Sequence, residues 1–161
     1  MMFKQNPRLP VEVVIEIPRG SFLKRGSTGQ LDFISLLPCP FNYGSIPAYI
    51  GLEGDLLDAV VLGPRLALGT TLTVYAWGAI GVYDRGMYDD KLICSLTPVS
   101  PWQQRGLVLF FSCYAQAKRL LNAFRGRWGR HGCGGWGDAA AAIAKATPRA
   151  AVEWYGPSVP F

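Results

Sequence analysis

The chain has few of the side chains from which zinc sites are built. It contains one histidine, His131, and its four cysteines, at positions 39, 94, 113 and 133, include no Cys-x-x-Cys pair. Zinc sites usually combine closely spaced cysteine and histidine ligands, so these residues are poorly suited to binding zinc. We therefore expect the cysteines to be free, buried thiols and His131 to have a structural role.

Long hydrophobic runs are also lacking, although half of the residues are hydrophobic. No run approaches the roughly 20 apolar residues that cross a bilayer as a helix. The first residues lack the apolar segment of a secretory signal, and no internal repeat is present. At 161 residues the chain has the size of one domain. We expect a single domain over residues 1–161, located in the cytoplasm and without a membrane partner.

Acidic residues are scarce in the last third of the chain. Residues 1–97 hold eight Lys and Arg against nine Asp and Glu, whereas residues 98–161 hold eight against two. The first part therefore carries a charge of −1 and the second +6. Most of the acidic residues fall in short stretches, namely Glu16, Glu53, Asp55, Asp58, Asp84, Asp89 and Asp90. Carboxylates that cluster in short stretches of a basic protein indicate a role in binding or catalysis rather than in solubility alone.

Strand signals recur at short intervals up to about residue 97. Alternating or short apolar runs bounded by Gly and Pro predict strands at 11–17, 31–37, 59–62, 71–82 and 92–96. Because no helical pattern separates these strands, they favour a small closed barrel over about residues 11–97 rather than a parallel sheet.

The faces of two strands follow from the alternation. Within 11–17, Val11, Val13, Ile15 and Ile17 are predicted to share one face, with Glu12 and Glu16 on the other. Within 71–82, one face is predicted to carry Leu72, Val74, Ala76 and Ile80. Two prolines make residues 38–44 rigid and non-helical, and residues 83–91 are predicted to form a loop.

The last third is predicted to be helical. Ser100 followed by Pro101 is a favourable helix start, and apolar residues follow at helical spacing from Leu107 to Leu121. Six glycines between 126 and 137 predict a loop, after which Asp138 caps an alanine-rich helix at 139–146. The fold class is therefore mainly β with flanking helices (α+β), with a helical part at about 100–147 and an extended tail at 148–161.

An acidic stretch at residues 52–58 is the first candidate site. It places Glu53, Asp55 and Asp58 within six positions around Gly54. On a helical turn or a tight loop, Asp55 and Asp58 would point into one small volume. Crowded carboxylates favour a cation between them, and a hard divalent ion such as Mg²⁺ takes oxygen ligands. The stretch predicts a Mg²⁺ site, although alone it would be read as a solvated acidic turn.

A second acidic cluster, Asp84 and Asp89, follows the long strand. A hairpin return would bring it to the same end of the barrel as the first cluster, where the carboxylates together could hold two or more cations. Lys91 lies two residues past Asp89 and therefore faces the same side, and Lys24 and Tyr43 add donors. Metal ions and ammonium groups together neutralise phosphate oxygens, so the pattern predicts a phosphorylated substrate.

Four ordered segments resemble the soluble (family I) inorganic pyrophosphatases. They are residues 14–21 with Lys24, residues 42–47, residues 53–58 and residues 84–91. Residues 53–58 are similar to the family's Asp-Gly-Asp-Pro-x-Asp, and residues 84–91 keep its Asp-x₄-Asp-x-Lys spacing. Residues 110–114 and 135–136 also fit, so the resemblance covers nearly the whole chain.

The resemblance implies a fold and an activity. The fold is an OB-like closed five-stranded β-barrel with two C-terminal α-helices. The activity is hydrolysis of pyrophosphate to two phosphates with several Mg²⁺ ions, for which Mn²⁺ or Zn²⁺ are candidate substitutes. Bacterial members commonly form hexamers, so the resemblance also implies a homo-oligomer.

The resemblance further implies roles for individual residues. Asp58 would bridge two metal ions, joined by Glu53 and Asp89. Asp84 and Asp89 would hold a further ion that arrives with the substrate. Asp55 would accept the proton of the attacking water. The implied phosphate ligands are Lys24, Tyr43, Lys91 and Tyr114, with Glu16 in the surrounding polar network.

Several positions depart from the family pattern. Ser35 replaces an arginine that binds substrate phosphate, and Gly26 replaces a glutamate that binds metal. Cys39 and Ala115 stand where the family has a tyrosine and a lysine, and Glu53 is one methylene longer than the usual aspartate. Loss of one charged donor to a transferring phosphoryl group costs roughly a hundredfold in rate. The metal ligands are thus largely kept, while the phosphate ligands are reduced in number.

Two alternative functions remain open. One is a paralogue that binds metal and phosphate with weak or no turnover, which the changes at Gly26, Ser35 and Ala115 would predict. The other is a nucleic-acid-binding barrel, suggested by a pI of about 9.2 and a basic tract between residues 118 and 130. Aromatic residues do not alternate with the basic ones as stacking platforms would require, which argues against nucleic acid.

Overall fold

A computed structural model describes residues 9–21, 23–25, 31–34, 39–51, 54–84, 87–124 and 132–151. The strands in these ranges are β1 (Leu9–Ile17), β2 (Leu23–Arg25), β3 (Leu31–Ile34), β4 (Asn42–Ile50), β5 (Leu56–Val61), β6 (Thr71–Asp84), β7 (Met87–Ser95), β8 (Gly132–Gly137) and β9 (Thr147–Pro148). The helices are α1 (Pro101–Phe124) and α2 (Ala139–Lys145), and Arg149–Ala151 forms a 3₁₀ turn.

Five strands close into a barrel. β1, β4, β5, β7 and β6 are hydrogen-bonded in this order, and β1 also pairs with β6. β5 and β7 run parallel, whereas the other pairs of the barrel run antiparallel. β8 extends the sheet beyond β6, β9 pairs with β4, and β2 and β3 form a separate hairpin. The prediction of an OB-like closed five-stranded barrel with two helices is therefore confirmed.

The strands carry two hydrophobic cores on their opposite faces. All five barrel strands contribute to the first, which includes Val13, Ile46, Ala59 and Leu92 and which we call the inner core. α2 packs its alanines against this inner core. Alternate residues of the same strands form the outer core together with α1, and its members include Tyr43, Val60, Val82, Ile93, Leu107 and Phe111. α1 therefore covers part of the outer surface of the barrel.

Two irregularities reverse the predicted faces. The register of β6 shifts between Ala76 and Gly78, so Ala76 packs in the inner core but Ile80 packs in the outer core. The register of β1 likewise shifts between Ile15 and Ile17, and Ile17 packs against the outer core. The predictions that Ile80 and Ile17 share the faces of the preceding apolar residues are wrong, because a bulge inserts one residue and inverts the alternation.

The predicted strands omit a strand of the barrel. β4 begins at Asn42, inside a stretch whose prolines and glycine predict no strand. It contains Pro47, which lies where the pairing with β5 is irregular, between Ile46 and Ile50. Proline is tolerated at such positions because no ladder hydrogen bond is needed there. The predicted strand at 31–37 is described only as β3, which pairs with β2 and not with the barrel.

Two stretches predicted to be loops form strands over most of their described length. The loop predicted at 83–91 is replaced by the ends of β6 and β7, so Asp89 lies on a strand. The glycine-rich loop predicted up to residue 137 contains β8, whose Trp136 ring packs against Gly78 of β6. A Cβ at Gly78 would lie 2.1 Å from this ring, so packing rather than strand propensity forms β8. The 3₁₀ turn replaces the first part of the predicted extended tail, and residues 152–161 lie outside the described ranges.

Both helix starts agree with their predicted caps. Ser100 Oγ accepts a hydrogen bond from the Gln103 amide at 3.2 Å, and Gln103 Oε1 accepts one from the Ser100 amide at 2.9 Å. This reciprocal pair is a capping box. The Asp138 carboxylate accepts the Ala141 amide at 3.2 Å at the start of α2. Neither helix, within the described residues, is long and apolar enough to cross a membrane.

Gly106, in the second turn of α1, gives a first test of the fold. A Cβ at this position meets no atom within 4 Å. We expect Gly106→Ala to stabilise the protein by about 0.5–1 kcal/mol, because glycine loses more backbone entropy than alanine in a helix. Urea unfolding measures the change. Gly69→Ala is the matched control, since its Cβ would also be unobstructed but its φ is +81°. Gly69→Ala should destabilise, and a stabilisation of equal size in both variants would contradict this explanation.

Candidate active site

The Lys91 side chain on β7 connects two of the predicted acidic residues. Its Nζ lies 2.5 Å from Oδ2 of Asp58 and 2.5 Å from Oδ2 of Asp89. Asp89 lies two residues earlier on the same strand face, as the sequence predicts. Asp58 is the residue opposite Lys91 in the parallel pairing of β5 with β7. The parallel register thus brings one residue of each acidic cluster, Asp58 and Asp89, to one position.

Tyr43 on the neighbouring strand β4 completes this group. Its ring centroid lies 5.5 Å from Lys91 Nζ, and its side chain is buried in the outer core. Burial raises the pKa of the Tyr43 phenol well above its usual value, and the charges of Asp58 and Asp89 raise it further, against the opposing effect of Lys91. Tyr43 is therefore a neutral hydroxyl, able to donate a hydrogen bond to an anion.

Lys91 is a buried ammonium group that stays charged. Its residue is 4% exposed, and burial alone would lower the pKa of its amine. The carboxylates of Asp58 and Asp89, with contributions from Tyr43 and Tyr114, outweigh burial and raise the pKa well above the usual lysine value. Two carboxylates and one ammonium leave one net negative charge at this position. A further cation would therefore be attracted to it.

Tyr114 approaches the same group from α1. It is half-buried, and its ring stacks on Phe110 and meets Phe111 edge-to-face, with centroid distances of 6.5 and 6.3 Å. Tyr114 packs against the outer core that contains Tyr43, and it contributes to the raised pKa of Lys91. Ala115, which stands where the family has a lysine, is 1% exposed in the outer core. The aromatic packing of α1 thus holds the Tyr114 ring against the outer core.

Asp55 is not on the same turn as Asp58. A tight turn precedes β5, in which the Gly51 amide donates to the Asp55 carbonyl at 2.8 Å and Gly54 has a φ of +86°. The Asp55 carboxylate accepts the Leu56 amide at 2.7 Å. Asp58 instead lies within β5. The expectation that one turn would direct both carboxylates into one volume is therefore corrected.

The structure describes only some of the remaining predicted site residues. Glu16 is 8% exposed, at the irregularity of β1. Glu53 lies outside the described residues, as do Gly26 and Ser35. Asp84 ends β6 and Lys24 lies in β2, but their side chains fall outside what the structure describes. Cys39, another of the departures, donates its thiol to the Phe41 carbonyl at 3.0 Å.

The donor set of the site suits a hard cation. Carboxylate oxygens of Asp58 and Asp89 both contact the Lys91 ammonium group. Mg²⁺ prefers oxygen ligands of this kind. Within the described ranges, no three His, Cys, Asp or Glu side chains come close enough to share a metal ion. Two of the five predicted acidic residues are therefore brought together, and their chemistry fits Mg²⁺.

Asp90 lies apart from the acidic residues at Lys91, although the sequence groups it with Asp89. It points to the face of β7 opposite Asp89, and its carboxylate lies 3.8 Å from Lys145 Nζ of α2. Burial raises the pKa of Asp90, against the opposing charges of Lys145 and Lys91. The alternation along β7 is the signal that would have separated Asp90 from its neighbours. Asp90 links β7 to α2 rather than pairing with Lys91.

The fold and the site together define a class: an OB-like barrel whose outer face carries a carboxylate, lysine and phenol group suited to cations and phosphate. Residues 13–105 match the family model for inorganic pyrophosphatase. The chain belongs to the inorganic pyrophosphatase family.

Individual relatives agree with this assignment. The inorganic pyrophosphatase of Haemophilus influenzae is 35% identical over 92 residues, which are 52% of this chain and 52% of that protein. The Saccharolobus solfataricus inorganic pyrophosphatase is 36% identical over 91 residues, 52% and 53% of the two chains. The crystal structure of the Thermus thermophilus inorganic pyrophosphatase superposes with a TM-score of 0.69 at 26% identity, covering 90% of this chain and 91% of that one. The matched region spans about half the length of the curated relatives.

Proposed function

We propose that the protein hydrolyses pyrophosphate to two phosphate ions with Mg²⁺. The observation that carries this proposal is the Lys91 ammonium between Asp58 and Asp89, beside Tyr43, in a chain that matches the pyrophosphatase family. Metal-binding oxygens and phosphate-binding donors thus share one buried position. The cytoplasmic location and the hexameric assembly expected from the family resemblance remain predictions.

The chain's own residues divide into two groups. Asp58 and Asp89 would hold Mg²⁺, with Glu53 and Asp84 as further ligands, and Mn²⁺ or Zn²⁺ would be substitutes. Bound Mg²⁺ supplies charge neutralisation of the phosphate oxygens and lowers the pKa of a water molecule. The phosphate oxygens would be bound by Lys24, Tyr43, Lys91 and Tyr114, while Glu16 supports the surrounding polar network.

The reaction breaks one phosphorus–oxygen bond and forms another. The oxygen of the attacking water bonds to phosphorus, the bridging oxygen leaves with the second phosphate, and Asp55 accepts the water proton as general base. Lys91 and Tyr43 stabilise the charge that develops on the phosphate oxygens. Because Lys91 already pairs with Asp58 and Asp89, it must exchange these partners for phosphate when substrate and metal enter.

A second candidate is metal and phosphate binding with weak turnover. It is favoured by Ala115, whose buried methyl group offers no charge where the family has a lysine. With Ser35 also in place of an arginine, we expect slower turnover than a complete set of donors would support. Nothing among the described residues favours the nucleic-acid alternative.

Phosphate release from pyrophosphate tests the proposal. We expect Mg²⁺-dependent release by the wild type, and a loss of about 100-fold or more in Asp55→Asn and Asp58→Asn, because each variant removes a negative charge that the reaction uses. Colorimetric phosphate detection with and without Mg²⁺ measures it, with Asp138→Asn as a control that changes a remote acid. If the folded wild type binds Mg²⁺ but releases no phosphate, hydrolysis is refuted and the second candidate, metal and phosphate binding with weak turnover, is supported. Release that Asp58→Asn leaves unchanged would refute the site.

A further inference from the structure

Two exposed arginines, Arg19 and Arg65, hold each other's backbone segments on the rim of the barrel. Arg19 Nη1 donates to the Gly63 carbonyl at 3.1 Å, and Arg65 Nη1 donates to the Arg19 carbonyl at 3.1 Å. Each guanidinium group is therefore anchored by the segment that carries the other. The arrangement brings two positive charges to one exposed place, outside the group around Lys91.

A buried asparagine fixes the two segments that present these arginines. Asn42 is 0% exposed, and its Oδ1 accepts the amides of Arg19 at 3.0 Å and Leu66 at 2.9 Å. Its Nδ2 donates to the carbonyls of Val61 at 3.3 Å and Pro64 at 2.8 Å. A fully satisfied buried amide is rigid, because moving either segment would leave a polar group unpaired. The positions of both arginines are thus preorganised.

In the part of the chain that the structure describes, no carboxylate forms an ion pair with Arg19 or Arg65. The carboxylates of Asp58, Asp89 and Asp90 pair with Lys91 and Lys145 instead. Each guanidinium keeps further N–H donors beyond the one bound to a carbonyl. Adjacent positive charges repel unless an anion lies between them. The pair has the charge and the donors for an external anion.

We propose that Arg19 and Arg65 form a binding site for a phosphate group, separate from the proposed catalytic position. Guanidinium groups match the geometry of phosphate and carboxylate with paired hydrogen bonds. Phosphate fits better than carboxylate here, because its charge and its several oxygens can satisfy two guanidinium groups at once. The ligand is either a free phosphate ion or the phosphate of a larger polyanion.

The distance from the catalytic position follows from β4. Asn42, which fixes both arginine segments, lies three residues before Ser45, the residue opposite Asp58. A strand rises about 3.3 Å per residue, so Asn42 lies on the order of 10 Å from Ser45 along the barrel. The arginine segments are therefore held at a different position of β4 from the one opposite Asp58, and we treat the site as additional to substrate binding at Lys91.

Anion binding without metal tests this site. Calorimetric titration of the full chain with orthophosphate and with tripolyphosphate, in the presence of EDTA, avoids dependence on turnover. We expect the Arg19→Gln/Arg65→Gln variant to bind at least tenfold more weakly than the wild type. Arg105→Gln is the matched control, because Arg105 is exposed and stacks on Trp102 at 5.5 Å in α1. Tighter binding of orthophosphate to the wild type would identify the ligand as a free phosphate ion, and tighter binding of tripolyphosphate would identify it as a polyanion.

The alternative is that the arginines only tie two segments together. In that case the double variant would melt at a lower temperature while its affinity for both anions stayed unchanged, and the proposal would be overturned. If the double variant does not fold, Arg65→Gln alone carries the same comparison. The result is independent of the proposed hydrolysis, because the titration tests the arginine pair even in a chain without pyrophosphatase activity. If the chain is active but the double variant binds both anions as tightly as the wild type, only the arginine site is refuted.

Discussion

Lys91→Met is expected to lose catalysis and gain affinity for Mg²⁺. Lys91 Nζ lies between Asp58 and Asp89, where a metal ion would otherwise neutralise both carboxylates. Removing the ammonium group removes a phosphate ligand and also a competitor of the metal. We expect hydrolysis to fall by about 100-fold or more, while Mg²⁺ binds about tenfold more tightly, roughly 1.4 kcal/mol.

Stability gives a second measurement of the same change, independent of activity. Removing one partner of a buried ion pair typically costs about 3–5 kcal/mol, because the remaining charges are left uncompensated. Without metal, Lys91→Met should therefore melt well below the wild type, and Mg²⁺ should raise its melting temperature more than that of the wild type. Calorimetric Mg²⁺ titration and thermal melting in EDTA and in Mg²⁺ measure both effects.

Lys145→Met is the matched control. It removes a lysine that also lies near an acidic residue of β7, but Lys145 is 51% exposed and lies 3.8 Å from Asp90. The Asp90 side chain is 9% exposed, but the charge of Lys145 is largely screened by solvent, so Mg²⁺ affinity and activity should stay near wild type. Weaker Mg²⁺ binding in Lys91→Met would show that Lys91 organises the carboxylates for metal rather than competing with it.

Local signals in the sequence account for the helices and for part of the site. The capping pair of Ser100 and Gln103 and the helical spacing predict α1, because neighbours in the chain decide both. The two-residue period of a strand likewise predicts that Asp89 and Lys91 share a face. The contact between Lys91 and Asp58 has no such signal, because it depends on the parallel register of two strands more than 30 residues apart.

The errors arise where tertiary contacts override local preference. β4 and β8 are rich in glycine or proline, yet both pair with strands whose geometry accepts them. The bulge between Ala76 and Gly78 moves Ile80 to the outer core, and Gly78 within the strand is the only local sign of it, because the alternation of apolar residues gives none. The family resemblance supplies roles for residues such as Asp55 that the geometry of the described residues does not assign.

Gly44→Ala is expected to cause the largest loss of stability. Gly44 lies beside Tyr43 in β4, and the structure shows that a glycine is needed there for space. A Cβ at Gly44 would lie 2.0 Å from the Val14 carbonyl oxygen and 2.9 Å from its carbon. Both obstacles are backbone atoms of β1, so rotation of a side chain cannot relieve the clash.

The barrel must open between β1 and β4 to accept this methyl group. Gly44 lies opposite Ile15, and the same pairing positions Tyr43 opposite Ile17. We expect a loss of at least about 4 kcal/mol, which exceeds most single substitutions and approaches the whole stability of a typical domain. Urea unfolding measures it, with Gly106→Ala as the control, because the same methyl group is added there in open space. A Gly44→Ala variant that unfolds at the wild-type urea concentration would mean that β1 and β4 are not in the contact described, and that Tyr43 is not held beside Lys91 by this pairing.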